Sequence, residues 1–154
     1  MLYVAYGSNM NIEQMAFRCP KSRIVGNGII KGWRLIFNIH ADIIEASEYD
    51  EVPVVCWEID DSEWKNLDRY EGYPSYYVKR LVSVEMDGGG TKKCIVYVMN
   101  DSRKGISPPY RSYFDVCLQG YIDNGIDTEY LYDALRYSWD NETEYNQYSR
   151  KGAV

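Results

Sequence analysis

Residues 77–99, YVKRLVSVEMDGGGTKKCIVYVM, constrain the fold more than any other stretch of this chain. Two runs rich in Val, Ile, Leu and Tyr flank Asp87-Gly88-Gly89-Gly90, and such a connection predicts an antiparallel β-hairpin with its loop at Asp87 to Gly90. A chain committed to a long hairpin here is not a regular strand–helix array. The glycine run lacks the Gly-Lys-Ser/Thr ending of a phosphate loop, so it reads as a turn.

The flanking segments extend the pattern. Leu2 to Tyr6 is β-branched and aromatic, which predicts a strand, and Gly7-Ser8-Asn9 turns the chain into a short helix near Asn11 to Arg18. Ile24 to Ile39 reads as strands with bulges or bends at Gly26, Gly28 and Gly32. Pro53 to Ile59 predicts a buried strand, followed by a helix from Asp60 to Tyr70 with Asp60 and Glu63 spaced as a capping box. Ser107 before Pro108 has the form of an N-cap. Apolar residues from Tyr110 to Ile122 then recur at helical spacing until Gly125. A last helix starts at Asp127 or Thr128 with Leu131, Ala134 and Leu135 inward, and the residues from Trp139 onward become polar. This order predicts an α+β fold: one domain over residues 1–138 and a polar tail over 139–154.

Composition narrows the function. A formal charge of −6 argues against a nucleic-acid partner, because neutralising phosphates needs a basic face. There is no apolar run of about 18 residues for a membrane span and no secretory-signal pattern at the N-terminus, so no membrane partner and a cytoplasmic location are expected. The four cysteines, Cys19, Cys56, Cys94 and Cys117, form no C-x-x-C pair, which disfavours a zinc site or a disulfide framework. His40 is the single histidine. Multi-His metal sites are excluded, and a Cys–His dyad is the one imidazole-activated nucleophile left to consider.

Two features point to chemistry. In the helix from Asp60 to Tyr70, Trp64 and Leu67 face inward, and four residues on from Leu67 lies Glu71, an acid on the apolar stripe just before Gly72. Burial and the partial negative charge of a helix C-terminus both raise a carboxyl pKa, as a general acid/base near neutrality requires. Glu71 is therefore the candidate proton carrier. The turn Gly7-Ser8-Asn9 follows a strand and precedes a helix, so its successive amides can form a nest for a carboxylate or an oxyanion. The sixteen tyrosines, four of them in RYEGYPSYY (Tyr70, Tyr73, Tyr76 and Tyr77), suit an interface or a polar cavity wall.

Tyr-Gly-Ser-Asn after the first strand, LDRYEGYPSYYV in mid-chain and PPYRSYFDVCLQGYIDNGI near the end together resemble the γ-glutamylcyclotransferase family, including its AIG2-like relatives. The resemblance spans roughly residues 3 to 135. It implies a compact β-barrel-like sheet with flanking helices and a cavity at the end of the first strand. It also implies cyclisation of a γ-glutamyl amino acid, peptide or amine to 5-oxoproline, without a cofactor. Carried over by position, Glu71 matches the catalytic glutamate; Tyr6, Gly7, Ser8 and Asn9 match the substrate-binding loop; Tyr77 and Tyr113 match pocket tyrosines. The partner is then a small γ-glutamyl molecule, and the protein a monomer or homodimer. One departure from the family pattern is FNIHADIIEASEYDEV, short and acidic at Asp42 and Glu45, near the expected substrate contacts. The leaving amine stays open. A catalytically silent relative using the same pocket is the alternative, and a thiol hydrolase pairing a cysteine with His40 is a third.

Overall fold

In the computed structural model, which describes residues 1–143, the N-terminal strand β1 (Leu2–Ala5) lies between two strands that come from far along the chain. It pairs antiparallel with β5 (Glu51–Glu58) and parallel with β7 (Thr91–Met99). The sheet continues through β2 (Arg23–Lys31) and β6 (Tyr77–Met86), closing as β1-β5-β2-β6-β7. The expected hairpin is β6 and β7, in register from Tyr77 with Met99 to Glu85 with Thr91. The expected bulge falls between Ile24 and Gly26. Among the described residues four helices flank the barrel, so the fold is α+β and barrel-like, as expected: α1 (Ile12–Arg18), α2 (Trp64–Glu71), α3 (Arg111–Asp123) and α4 (Glu129–Asp140).

Val4, Val54, Cys56, Val84, Cys94 and Val96 are fully buried. Strands this few enclose only enough space for their own side chains, so a guest must bind at the end of the barrel rather than inside it.

That end is built by a second, two-stranded sheet, β3 (Trp33–Asn38) with β4 (His40–Glu45), on which α4 packs. The turn between them is Ile39, a β-branched residue at φ 67°. The segment Ile24 to Ile39 gives no hint of a reversal there. The strained turn is held from outside, because Ile39 N donates to Ser107 O at 3.0 Å and Ser107 N donates to Phe37 O at 3.0 Å.

Those bonds correct the expectation that Ser107 caps a helix at Pro108. The helix starts at Arg111, since Ser107 and Pro108 each precede a proline and are kept out of helical conformation. The capping box is also corrected. Asp60 accepts from Ser62 N at 3.1 Å to start a 3₁₀ turn over Asp61–Glu63, and α2 begins at Trp64. Glu63, 4% exposed, instead takes Lys21 N at 3.1 Å and Ser22 Oγ at 2.9 Å, which satisfies its buried carboxylate. α4 runs on through Trp139 to Asp140, beyond the expected start of the polar tail, and residues 144–154 of that tail lie outside the described residues. Among the described residues no helix is long and apolar enough to cross a membrane.

Candidate active site

Where β1 ends, a 3₁₀ turn over Ser8–Met10 carries the chain across the barrel mouth. α3 fixes this turn by direct backbone contact. A Cβ on Gly120 would sit 2.6 Å from Asn11 N and 2.7 Å from the Met10 carbonyl carbon, so only glycine permits the approach. Asn124 Nδ2 donates to Met10 O at 2.8 Å and Asn11 Nδ2 to Val116 O at 3.1 Å, completing the clamp.

Beside the turn lies a cavity of about 250 Å³. Tyr6, Gly7, Ser8, Asn9, Glu71, Tyr77 and Tyr113, the seven residues singled out in the sequence, all line it. Tyr3, His40, Ala41, Tyr70, Gly72, Tyr76 and Tyr97 complete the wall. Asp42 and Glu45 are not among them. Asp42 is fully buried, and its Oδ1 accepts from Met99 N at 2.9 Å, tying β4 to β7, while Glu45 is exposed. The acidic contribution expected from Asp42 and Glu45 at the substrate contacts is thus absent from the cavity wall, where Glu71 is the acid present.

Glu71 ends α2 four residues after the fully buried Leu67, and Gly72, in left-handed conformation at φ 65°, stops the helix immediately after it. Its Oε1 accepts from Asn9 Nδ2 at 3.0 Å. Burial pushes the carboxyl up to about 7 from an ordinary 4.5, against the lowering effects of the Arg18 charge and the Asn9 hydrogen bond. Arg18 reaches the acid through Asn9: its Nη1 donates to Asn9 Oδ1 at 2.6 Å, and its Nη2 to Gln14 Oε1 at 2.7 Å. The guanidinium also stacks on the Tyr70 ring at 3.5 Å. Arg18 is not legible as a site residue in the sequence. Its only local signature is a basic residue in the last turn of α1, four after Gln14, which ordinarily marks a solvated helix end.

The turn's amides divide into two groups. Met10 N and Asn11 N are consumed by Gly7 O and Ser8 O at 3.1 Å each. The amides of Gly7, Ser8 and Asn9 make no hydrogen bond to a protein acceptor among the described residues, so they remain available to a guest. Gly7 is glycine for packing: a Cβ there would lie 2.9 Å from Ala41 Cβ and 3.2 Å from the Tyr113 hydroxyl. Tyr77 and Tyr113 grip the same residue of β4, Tyr77 OH donating to Ala41 O at 2.6 Å and Ala41 N donating to Tyr113 OH at 3.0 Å. These two tyrosines fix the cavity wall as well as lining it.

The Cys–His dyad is not assembled. His40 Nδ1 bonds Tyr76 OH at 2.7 Å, no cysteine lines the cavity, and the nearby Cys117 thiol is pushed up to about 12 by burial. Among the described residues no cluster of His, Cys, Asp and Glu is arranged to hold a metal ion.

Fold and site together define a small-molecule enzyme built on a closed barrel, with one raised carboxyl in a tyrosine-lined recess at its end. Residues 3–115 match the family described as Gamma-glutamyl cyclotransferase, AIG2-like, and the chain belongs to that family. It is 31% identical to the γ-glutamylcyclotransferase of Bos taurus over 141 residues, covering 84% of this chain and 74% of the relative. Against the γ-glutamylcyclotransferase of Homo sapiens the identity is 30% with the same coverage. A solved structure titled γ-glutamyl cyclotransferase superposes with a TM-score of 0.78 at 26% identity, over 87% of this chain and 85% of that one.

Proposed function

We propose that this protein is a γ-glutamylcyclotransferase, converting a γ-glutamyl amino acid, peptide or amine to 5-oxoproline with release of the amine, and that Glu71 carries the proton. The observation supporting this most strongly is the Glu71 carboxyl itself, set in the wall of a tyrosine-lined cavity, bonded to Asn9 and pushed up to about 7.

The reaction needs no nucleophile from the protein, because the substrate's α-amine attacks its own γ-carbonyl. The enzyme must take a proton from the amine and return one to the departing nitrogen, and one carboxyl titrating near neutrality can do both in turn. Asn9 holds Oε1, which leaves Oε2 to exchange the proton. Holding the glutamyl chain folded supplies a large further share, since well-oriented intramolecular reactions reach effective molarities of about 10⁵ to 10⁸ M, roughly 7 to 11 kcal/mol. The amides of Gly7, Ser8 and Asn9 suit the substrate's α-carboxylate.

The test is a panel of γ-glutamyl amino acids, γ-glutamyl amines and glutathione, with 5-oxoproline measured by mass spectrometry. Turnover of at least one is expected. A panel that binds by calorimetry but never turns over supports the silent small-molecule-binding relative instead.

A further inference from the structure

Among the described residues seven tyrosines line the cavity, and which of them can donate to a guest depends on what each hydroxyl already bonds. Tyr6, Tyr77 and Tyr97 have given their protons to Tyr97 O, Ala41 O and Asp68 Oδ1. Tyr70 and Tyr76 share theirs with Ser8 Oγ and His40 Nδ1. Tyr113 accepts from Ala41 N and is hydrogen-bonded to Cys117.

Tyr3 is different. Its oxygen accepts from Asn9 Nδ2 at 3.0 Å. The orientation of that amide is not free, because a guanidinium has only donors. Arg18 at 2.6 Å therefore fixes Oδ1 on its own side and turns Nδ2 toward Tyr3 and Glu71. Tyr3 must accept here, and its own O–H makes no hydrogen bond to a protein acceptor among the described residues.

We propose that Tyr3 is a catalytic residue of this site, its phenolic O–H donating to the substrate's γ-carbonyl oxygen as that oxygen gains negative charge. The inference rests on the cyclotransferase reading above. Tyr3 OH and Glu71 Oε1 each lie 3.0 Å from the same nitrogen, and a trigonal amide nitrogen sets two such acceptors roughly 5 Å apart. A carbonyl carbon on the cavity side of these two groups places its oxygen on Tyr3 and its attacking amine on the Glu71 carboxyl, whose Oε2 is left by Asn9 to take the proton. As the C–N bond forms, the carbonyl π pair moves to oxygen and Glu71 takes the amine proton. As the oxyanion collapses, the bond to the leaving nitrogen breaks and Glu71 returns the proton to it. Tyr3 transfers nothing; it holds the oxyanion. Burial and the nearby Glu71 charge push its pKa upward, so the phenol keeps its proton throughout.

Tyr3→Phe is the test, assayed for 5-oxoproline release. The expected result is a loss of about 100-fold or more in kcat with KM little changed, the scale of one lost oxyanion donor. A tetrahedral phosphonamidate analogue of the γ-glutamyl amide should lose affinity by the same factor. The amide itself, measured on a Glu71→Gln background, should keep its affinity. Proton NMR of the wild-type complex with the analogue, which depends on no variant folding, should show the Tyr3 hydroxyl protected from exchange and shifted downfield. A near-wild-type kcat in Tyr3→Phe, equal losses for amide and analogue, or a protected hydroxyl belonging to another tyrosine overturns the assignment. Absence of turnover by the wild type overturns it together with the cyclotransferase reading, whereas turnover unchanged in Tyr3→Phe overturns it alone.

Discussion

Replacing Glu71 with Gln should abolish turnover and, at alkaline pH, make the protein more stable. Glu71 in the folded chain loses its proton at about 7, against an ordinary value of 4.5. Below the lower value the carboxyl is protonated folded or unfolded, and its ionisation costs the fold nothing. As pH rises between the two, the unfolded chain releases a proton that the folded chain retains, so stability falls; it levels off once the folded carboxyl has ionised too. A gap of this size corresponds to about 3 kcal/mol above pH 7 and less than about 1 kcal/mol at pH 5. Gln cannot ionise, yet its Oε1 still accepts from Asn9. The variant should therefore match the wild type at pH 5 and exceed it at pH 8 by about 2–3 kcal/mol, roughly 5–10 °C in Tm for a chain of this length. Urea unfolding followed by circular dichroism from pH 5 to 8 measures this without any substrate. A stability difference that stays constant with pH, or a variant less stable at pH 8, refutes the reasoning.

Other perturbations probe the supporting structure. The Arg18 charge lowers the Glu71 pKa, so the acid limb of kcat/KM, expected near pH 7 in the wild type, should move to higher pH in Arg18→Met and much less in Arg18→Lys. Gly120→Ala drives a Cβ to 2.6 Å from Asn11 N and should cost about 2 kcal/mol or more by thermal melt, whereas Gly88→Ala meets nothing within 4 Å and should melt like the wild type. Tyr77→Phe strips the donor from Ala41 O; urea titration should show a loss of about 1–3 kcal/mol, the cost of an unsatisfied buried carbonyl.

What could be read from the sequence was whatever is determined locally. The β6–β7 hairpin announces itself through its turn, and α1 through Asn11, whose side chain accepts from Gln14 N at 3.0 Å. Gly72 and Gly125, at φ 65° and 64°, mark where α2 and α3 end. Glu71 stands out because Leu67 fixes the register of its helix. What could not be read depends on partners distant in sequence. The reversal at Ile39 exists because Ser107 holds it, and Glu63 leaves its capping role because Lys21 and Ser22 claim its carboxylate. Tyr3 reads as one more strand aromatic, and only the chain of contacts from Arg18 through Asn9 shows which of its hydrogen-bonding roles remains open. Barrel closure is equally silent, since β1 meets β7 in parallel at Tyr3 and Ile95 alone.

The proposed function requires one carboxyl to move the proton in γ-glutamyl cyclisation. Single-turnover formation of 5-oxoproline, compared between wild type and Glu71→Gln at saturating substrate and pH 8, tests it most directly. A rate at least about 1,000-fold lower is expected in the variant, since among the described residues Glu71 is the one carboxyl lining the cavity. A variant within about tenfold of the wild type contradicts it.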